Sequence, residues 1–163
     1  MVIYMSDNYS ESSLWMRGNV ESLFNAVRRV DASKKRITSV MEPEFYDCSF
    51  EEKWLTLSFE VLDCELNPNK TMMGGLIATA LDITYGVLVI SLTGQDSPPT
   101  INLNVNFVRP IAAGDTLLCT AKVTSWGKKV IHLSCEGICK SNGKTAVSST
   151  AVFLSPDQWQ SES

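Results

Sequence analysis

Asp82 is the residue best suited to do chemistry in this chain, because it is the only charged side chain in the apolar stretch from Gly74 to Leu92, GGLIATALDITYGVLVISL. A carboxylate with so few polar neighbours is paired, reached by solvent or catalytic. It could act as a general base on water or as a nucleophile; the competing reading is an Asp at a wet interface or bonded to Thr79 or Tyr85. The loop Asn67-Pro68-Asn69-Lys70-Thr71-Met72-Met73-Gly74-Gly75 runs directly into the same stretch. Glycines at a helix start let a ligand approach the backbone, and the unpaired N–H groups there favour a developing anion. Gly74 and Gly75 could therefore form an oxyanion hole, or they could only permit a tight entry. In a helix, the rise of ~1.5 Å per residue sets Gly74 and Asp82 about 12 Å apart. One substrate carbonyl cannot readily touch both in a single chain, so a two-fold dimer with antiparallel helices is the natural way to combine them.

Other chemistries are poorly supplied. His132 is the single histidine, which leaves no second imidazole for an HExxH zinc site or a His-rich cluster, and no metal is expected. Cys48, Cys64, Cys119, Cys135 and Cys139 are odd in number and contain no CxxC pair. They read as small core residues of a reducing compartment, so a cytoplasmic location is expected. Lys plus Arg number 14 against 18 Asp plus Glu, a balance with no basic surplus for a nucleic-acid backbone. The start, MVIYMSDNYS, has no basic region followed by an apolar run, so no signal peptide is expected. The sequons at Asn8 and Asn69 then read as chance matches.

The elements that must position Asp82 follow from periodicity. At 163 residues, 44% of them hydrophobic, one domain with a real core is expected. From Ser12 to Val30, Leu14, Leu23, Phe24, Val27 and Val30 have helical spacing and predict an amphipathic helix packed on its own domain. Strands are expected near 37–48 and 53–63, the first an edge strand or bulged at Pro43. The Gly74–Leu92 stretch predicts a buried helix. A membrane span is less favoured, since insertion scales assign roughly 2.5 to 3.5 kcal/mol to a central Asp. Strands near 99–108, 115–126, 129–140 and 144–154 would wrap it. In the first, Ile101, Leu103, Val105 and Phe107 alternate with Asn102, Asn104 and Asn106 to give one apolar face. Trp126-Gly127-Lys128 reads as a turn and Asn142-Gly143 as a type I′ hairpin. The tail after Ser155 is expected to fray.

Loop, helix and meander together resemble the hotdog-fold acyl-CoA thioesterases of the phenylacetate-pathway type and their long-chain relatives. That family's motif is an Asn, a His-Gly-Gly six residues on, and a helix whose Asp lies nine residues after the His. Here Asn67, Met73-Gly74-Gly75 and Asp82 stand at those spacings, followed by Pro99-Thr100, Phe107-Val108-Arg109-Pro110, Gly114-Asp115 and Gly127-Lys128. The resemblance spans residues 36–154 and implies an α+β hotdog fold: an antiparallel sheet around one central helix. Residues 1–35 would add an N-terminal helix and lead-in, 36–155 the thioesterase domain and 156–163 a disordered tail.

Carried over residue by residue, the resemblance makes the Gly74 N–H the donor that polarises the thioester carbonyl and Asp82 the carboxylate that activates water or attacks. Thr100 matches a Ser or Thr that holds the attacking water, and Asn67 a polar group near the carbonyl. Their plainer readings are a strand-start hydroxyl and a turn Asn. Met73, Gly75, Gly127 and, as a pocket wall, Tyr85 join the substrate-binding set, with Val89 beside Tyr85. Arg109, Lys128 and Lys129 are candidates for the phosphates of coenzyme A, by charge and region. Met73 stands where relatives usually carry His, and losing such a donor costs about two to four kcal/mol of transition-state stabilisation. His132 reads as a core or groove residue. The implied protein is a homodimer, or a dimer-of-dimers tetramer, that hydrolyses an acyl-CoA to free acid and coenzyme A. It needs no cofactor, since coenzyme A belongs to the substrate, and neither nucleic acid nor membrane is an expected partner. A non-catalytic acyl-CoA-binding or sensing protein is the alternative, and a hydratase, which would pair a His with the acid, is a weaker one.

Overall fold

The computed structural model describes residues 9–31, 36–95 and 98–156; the Asn8 sequon and the tail beyond residue 156 lie outside them. The apolar stretch forms helix α3, Gly74–Thr93, and the strands form one antiparallel sheet. Its members are β1 (Glu44–Ser49), β2 (Trp54–Glu60), β3 (Thr100–Phe107), β4 (Thr116–Trp126), β5 (Val130–Cys139) and β6 (Thr145–Leu154), in the order β1-β2-β4-β5-β6-β3. Helix α3 packs against β2 through β6. A helix apolar all round has no wet side and must be enclosed, and here alternate residues of the strands do it: Leu55, Leu57 and Phe59 of β2 and Ile131, Leu133 and Cys135 of β5 are buried. By length and composition α3 could cross a membrane, yet half of that stretch is buried inside the protein.

The hydroxyls within α3 remain paired. Thr79, Thr84 and Thr93 donate to the carbonyls of Gly75, Ala80 and Val89, and Ser91 to that of Leu88. They therefore dilute the apolar stretch without leaving buried groups unsatisfied. Gly94, at φ +67°, ends the helix in the left-handed conformation that glycine adopts without steric cost.

Helix α1, Glu11–Asp31, buries Met16, Val20 and Phe24 at spacings of four, and packs on β1 and α3. Ser10 starts it: its Oγ accepts the Ser13 N–H at 3.1 Å and donates to Glu51 at 2.6 Å. At the other end, the buried Asp31 carboxylate accepts from the Arg36 N–H at 2.8 Å and from Ser39 Oγ. That clasp explains a departure from expectation. Residues 37–40 form a short helix, α2, rather than the start of a strand, because Ser39 is drawn back to Asp31 and Pro43 cannot donate to a ladder. Strand β1 is nonetheless an edge strand, irregular between Phe45 and Asp47.

Three further expectations are corrected. Asn142-Gly143 does not make a type I′ turn, which needs positive φ at both residues; only Gly143 has it, at +67°. Asp115 accepts from both the N–H and the hydroxyl of Ser141 and holds the loop wider. Cys64 is exposed on a 3-10 turn at Asp63–Glu65, whereas the other four cysteines are buried. Burial pushes the Cys48 thiol up to about 12 and raises Cys135 and Cys139 as well, so these are poor nucleophiles. His132 is exposed between the inward-facing Ile131 and Leu133; it belongs to the outer face of the sheet and not to a core or groove.

Gly137 of β5 is closely hemmed in by its neighbouring strands. A Cβ there would come within 2.5 Å of Val147 Cγ1 and 2.9 Å of Leu117 Cδ1. Gly137→Ala is expected to destabilise the fold by about 1 to 3 kcal/mol through overpacking, read as a lower urea midpoint with unchanged m-value.

Candidate active site

Thr100 Oγ1 donates to Asp82 Oδ1 at 2.8 Å, which brings together two residues 18 apart in sequence. Simple alternation would forbid it. Leu103 and Val105 pack on the core, so even-numbered residues of a regular β3 would point away from α3. The ladder with β6 breaks at one place: Thr100 pairs with Phe153 and Asn102 with Val152, leaving Ile101 as an extra residue. This bulge inverts the side-chain parity at the strand start and aims Thr100 at the helix. It also explains why Ile101, expected on the apolar face, is 56% exposed.

The loop before α3 is built by Asn67. Its side chain accepts from the N–H groups of Asn69 and Thr71 at 2.9 and 3.3 Å, and its amide donates to Thr71 Oγ1 at 2.9 Å. Within one chain Asn67 thus shapes the turn, with Lys70 at φ +59°. Met73 caps α3 in an extended conformation, with no side-chain bond, and its side chain is half exposed. The first turn is then closed by Leu76 and Ile77 N–H groups on the Met73 carbonyl, while those of Gly74 and Gly75 donate to no group among the described residues. Neither glycine has a positive φ. A Cβ on Gly75 would meet open space, and one on Gly74 would touch the Phe107 ring at an ordinary 3.4 Å. Folding alone therefore does not demand glycine at either position.

Asp82 and Thr100 stand at the edge of a cleft of about 270 Å³ between α1 and α3. Its apolar walls are Leu23, Phe24 and Val27 from α1 and Ile83, Val87 and Ile90 from α3, with Phe153 below. Tyr85 and Val89 are not among them. Both are fully buried toward the sheet, and Tyr85 is held by a 2.8 Å bond to Ser149; burial raises its phenol well above the ordinary value. The contribution of α1 was not read from the sequence, although Leu23 and Val27 flank Phe24 at a spacing that presents a second face.

The expected coenzyme A residues divide between two ends of the sheet. Arg109 follows Phe107 near Gly74 and donates to the Thr145 carbonyl. Gly127, Lys128 and Lys129 form the β4–β5 turn at the opposite end, where Ile131 aligns with Phe153 and Thr100. The Gly127 N–H closes that turn on Val130 at 2.9 Å, and a Cβ would come within 3.0 Å of the same oxygen. Seven steps along β3 at ~3.4 Å separate the ends by about 24 Å. In one chain, Asn67, Met73, Gly74, Gly75 and Arg109 therefore lie toward one end of the sheet, and Asp82, Thr100, Lys128 and Lys129 toward the other.

Glu65, just before the loop, is buried, with one oxygen accepting from the Leu62 N–H and the other unpartnered. Desolvation raises its carboxyl above the ordinary value. A carboxyl raised on folding stabilises fully below its unfolded pKa and loses that contribution as pH rises through the folded one. Glu65→Gln is thus expected to gain stability relative to wild type between pH 4 and 8, by about 1 kcal/mol, measured as urea midpoints at both pH values. An offset that ignores pH would reject this account.

Residues 69–146 match the family model described as the thioesterase superfamily. The Caenorhabditis elegans protein F42H10.6, named as an esterase, is 28% identical over 117 residues, covering 71% of this chain and 69% of its own. The E. coli PaaI protein from the phenylacetic acid degradation operon superposes with a TM-score of 0.73 at 18% identity, covering 89% of this chain and 96% of that one. A Streptococcus mutans protein solved with acetyl CoA bound gives a TM-score of 0.60 at 24% identity, over 69% of this chain and 89% of that one. The six antiparallel strands around one long helix give this chain the hotdog fold of these structures, and its residues 69–146 are similar to the thioesterase superfamily.

Proposed function

We propose that this protein hydrolyses an acyl-CoA thioester at sites shared between two copies of the chain. The family model that matches residues 69–146 is that of the thioesterase superfamily, and the observation that carries the mechanism is the Thr100–Asp82 hydrogen bond at the edge of an apolar cleft. Thr100 fixes one carboxylate oxygen and leaves the other uncommitted. Asp82 then takes a proton from water as the hydroxide attacks the thioester carbon. The carbonyl oxygen becomes an oxyanion held by the Gly74 N–H of a second copy, and its collapse expels the coenzyme A sulfur, which receives the proton from Asp82. Direct attack by Asp82, through a mixed anhydride, uses the same groups.

Self-association is supported by the free edge of β3. The sheet ends there, and Ile101, Phe107 and Val108 are each half exposed or more, whereas β1 at the other edge is packed by α1. An open edge with apolar side chains favours pairing. Antiparallel pairing of β3 with its copy would set the Gly74 half beside the Asp82 half, and Arg109 of one copy near Lys128 and Lys129 of the other, where the phosphates of coenzyme A could bridge them. A dimer of such dimers is compatible. Acetyl CoA bound to the Streptococcus mutans structure supports coenzyme A as the carrier, and five free thiols support a reducing, cytosolic setting.

Met73 favours one other reading, a protein that binds acyl-CoA without turning it over, because an exposed thioether at the helix start donates no hydrogen bond. Thiol release by purified wild type across an acyl-CoA series decides between them. Turnover establishes the hydrolase, whereas tight binding without release selects the sensor.

A further inference from the structure

Helix α1 separates two cavities with a wall one side chain thick. The Asp82 cleft, about 270 Å³, is bounded on its α1 side by Leu23, Phe24 and Val27. Behind Phe24 and Val27 lies a second cavity of about 230 Å³, shared by α1, α2 and the start of β1, and Thr38 borders both. Phe24 is buried, so it forms the body of the partition, while Val27 is half buried at its side. The far rim of the second cavity carries Arg28, Glu42 and Glu44 and is polar.

We propose that α1 is the chain-length gauge of this enzyme: the acyl group enters past Asp82 and Thr100, lies between α1 and α3, and stops against Phe24. This rests on the thioesterase reading and adds the substrate class. The head of the cleft carries the reactive carboxylate and its floor is aliphatic, the order of polarity that a thioester presents from carbonyl to tail. At about 30 Å³ per water-sized group, the cleft holds about nine heavy atoms, which corresponds to a medium-chain acyl group. Opening the partition would nearly double that length, and the polar rim would then become the new stop.

The test compares kcat/KM for acyl-CoA substrates from two to sixteen carbons in wild type, Phe24→Ala, Phe24→Leu and Val27→Trp. Wild type is expected to prefer about eight to ten carbons. Phe24→Ala should raise the ratio of sixteen-carbon to eight-carbon activity by about tenfold or more, with Phe24→Leu intermediate and less exposed to folding losses. Val27→Trp narrows the cleft from a half-buried position, and should lower the ratio of ten-carbon to two-carbon activity by about tenfold. Chain-length profiles parallel to wild type in the folded variants would overturn the gauge while leaving the thioesterase intact. If wild type binds without hydrolysing, the same series read as Kd carries the same comparison. Neither binding nor release across the series would overturn both the function and the gauge.

Discussion

With Asp82 replaced by asparagine, kcat for thioester hydrolysis is expected to fall by about 10²- to 10⁴-fold, the usual worth of a positioned general base. Asparagine keeps the oxygen that accepts from Thr100, so the loop, the helix and the thermal midpoint should be unchanged and KM should move little. A carboxamide cannot take a proton from water near neutral pH, and that is the property removed. The measurement is thiol release under saturating substrate, with acyl-CoA binding measured in parallel. Activity equal to wild type would remove Asp82 from the chemistry and leave its bond to Thr100 as a strand anchor only.

Gly74→Pro is expected to lower kcat by about 10²- to 10³-fold, the loss seen when one oxyanion donor is removed. The substitution isolates the N–H because its position tolerates proline. Gly74 is the first residue of α3, where the N–H has no helical partner, and proline is favoured there. The preceding Met73 is already extended, at φ −65° and ψ 132°, as a residue before proline must be. A Cβ at this position would touch only the ring of Phe107, an exposed side chain that can yield. Mixing the two inactive variants extends the test to the shared site. Mixed dimers would hold one doubly defective site and one intact site, so activity should return to roughly a quarter of wild type on random exchange of dimers. No recovery in a mixture shown to exchange subunits would mean that each chain carries a complete site.

Much of the fold was legible because the determining interactions are local and periodic. The run around Asp82 read as an enclosed helix in preference to a membrane span, and β4, β5 and β6 begin and end within two residues of the alternation that predicts them. Asn67, Gly74, Asp82 and Thr100 were all named from spacing and resemblance. What was not legible depends on contacts distant in sequence. Residues 37–40 turn helical because Ser39 meets Asp31. Tyr85 points inward because Ser149, 64 residues later, satisfies its hydroxyl. The Asn142-Gly143 turn opens because Asp115 reaches across to Ser141. Periodicity ranks the faces of one helix and says nothing of which second helix closes a cleft, so Leu23 and Val27 were missed.

The extra residue at Ile101 means that β3 serves two tasks in different phases. Downstream of it, Leu103 and Val105 meet the core and the backbone edge stays free; upstream, parity is inverted and a hydroxyl meets the helix. In the proposed dimer, interface and chemistry would thereby be decoupled on a single strand. Deleting Ile101 would leave the edge able to pair and the sheet able to fold, and would turn Thr100 outward. The proposed dimer would keep its shape and lose the hydroxyl that holds Asp82.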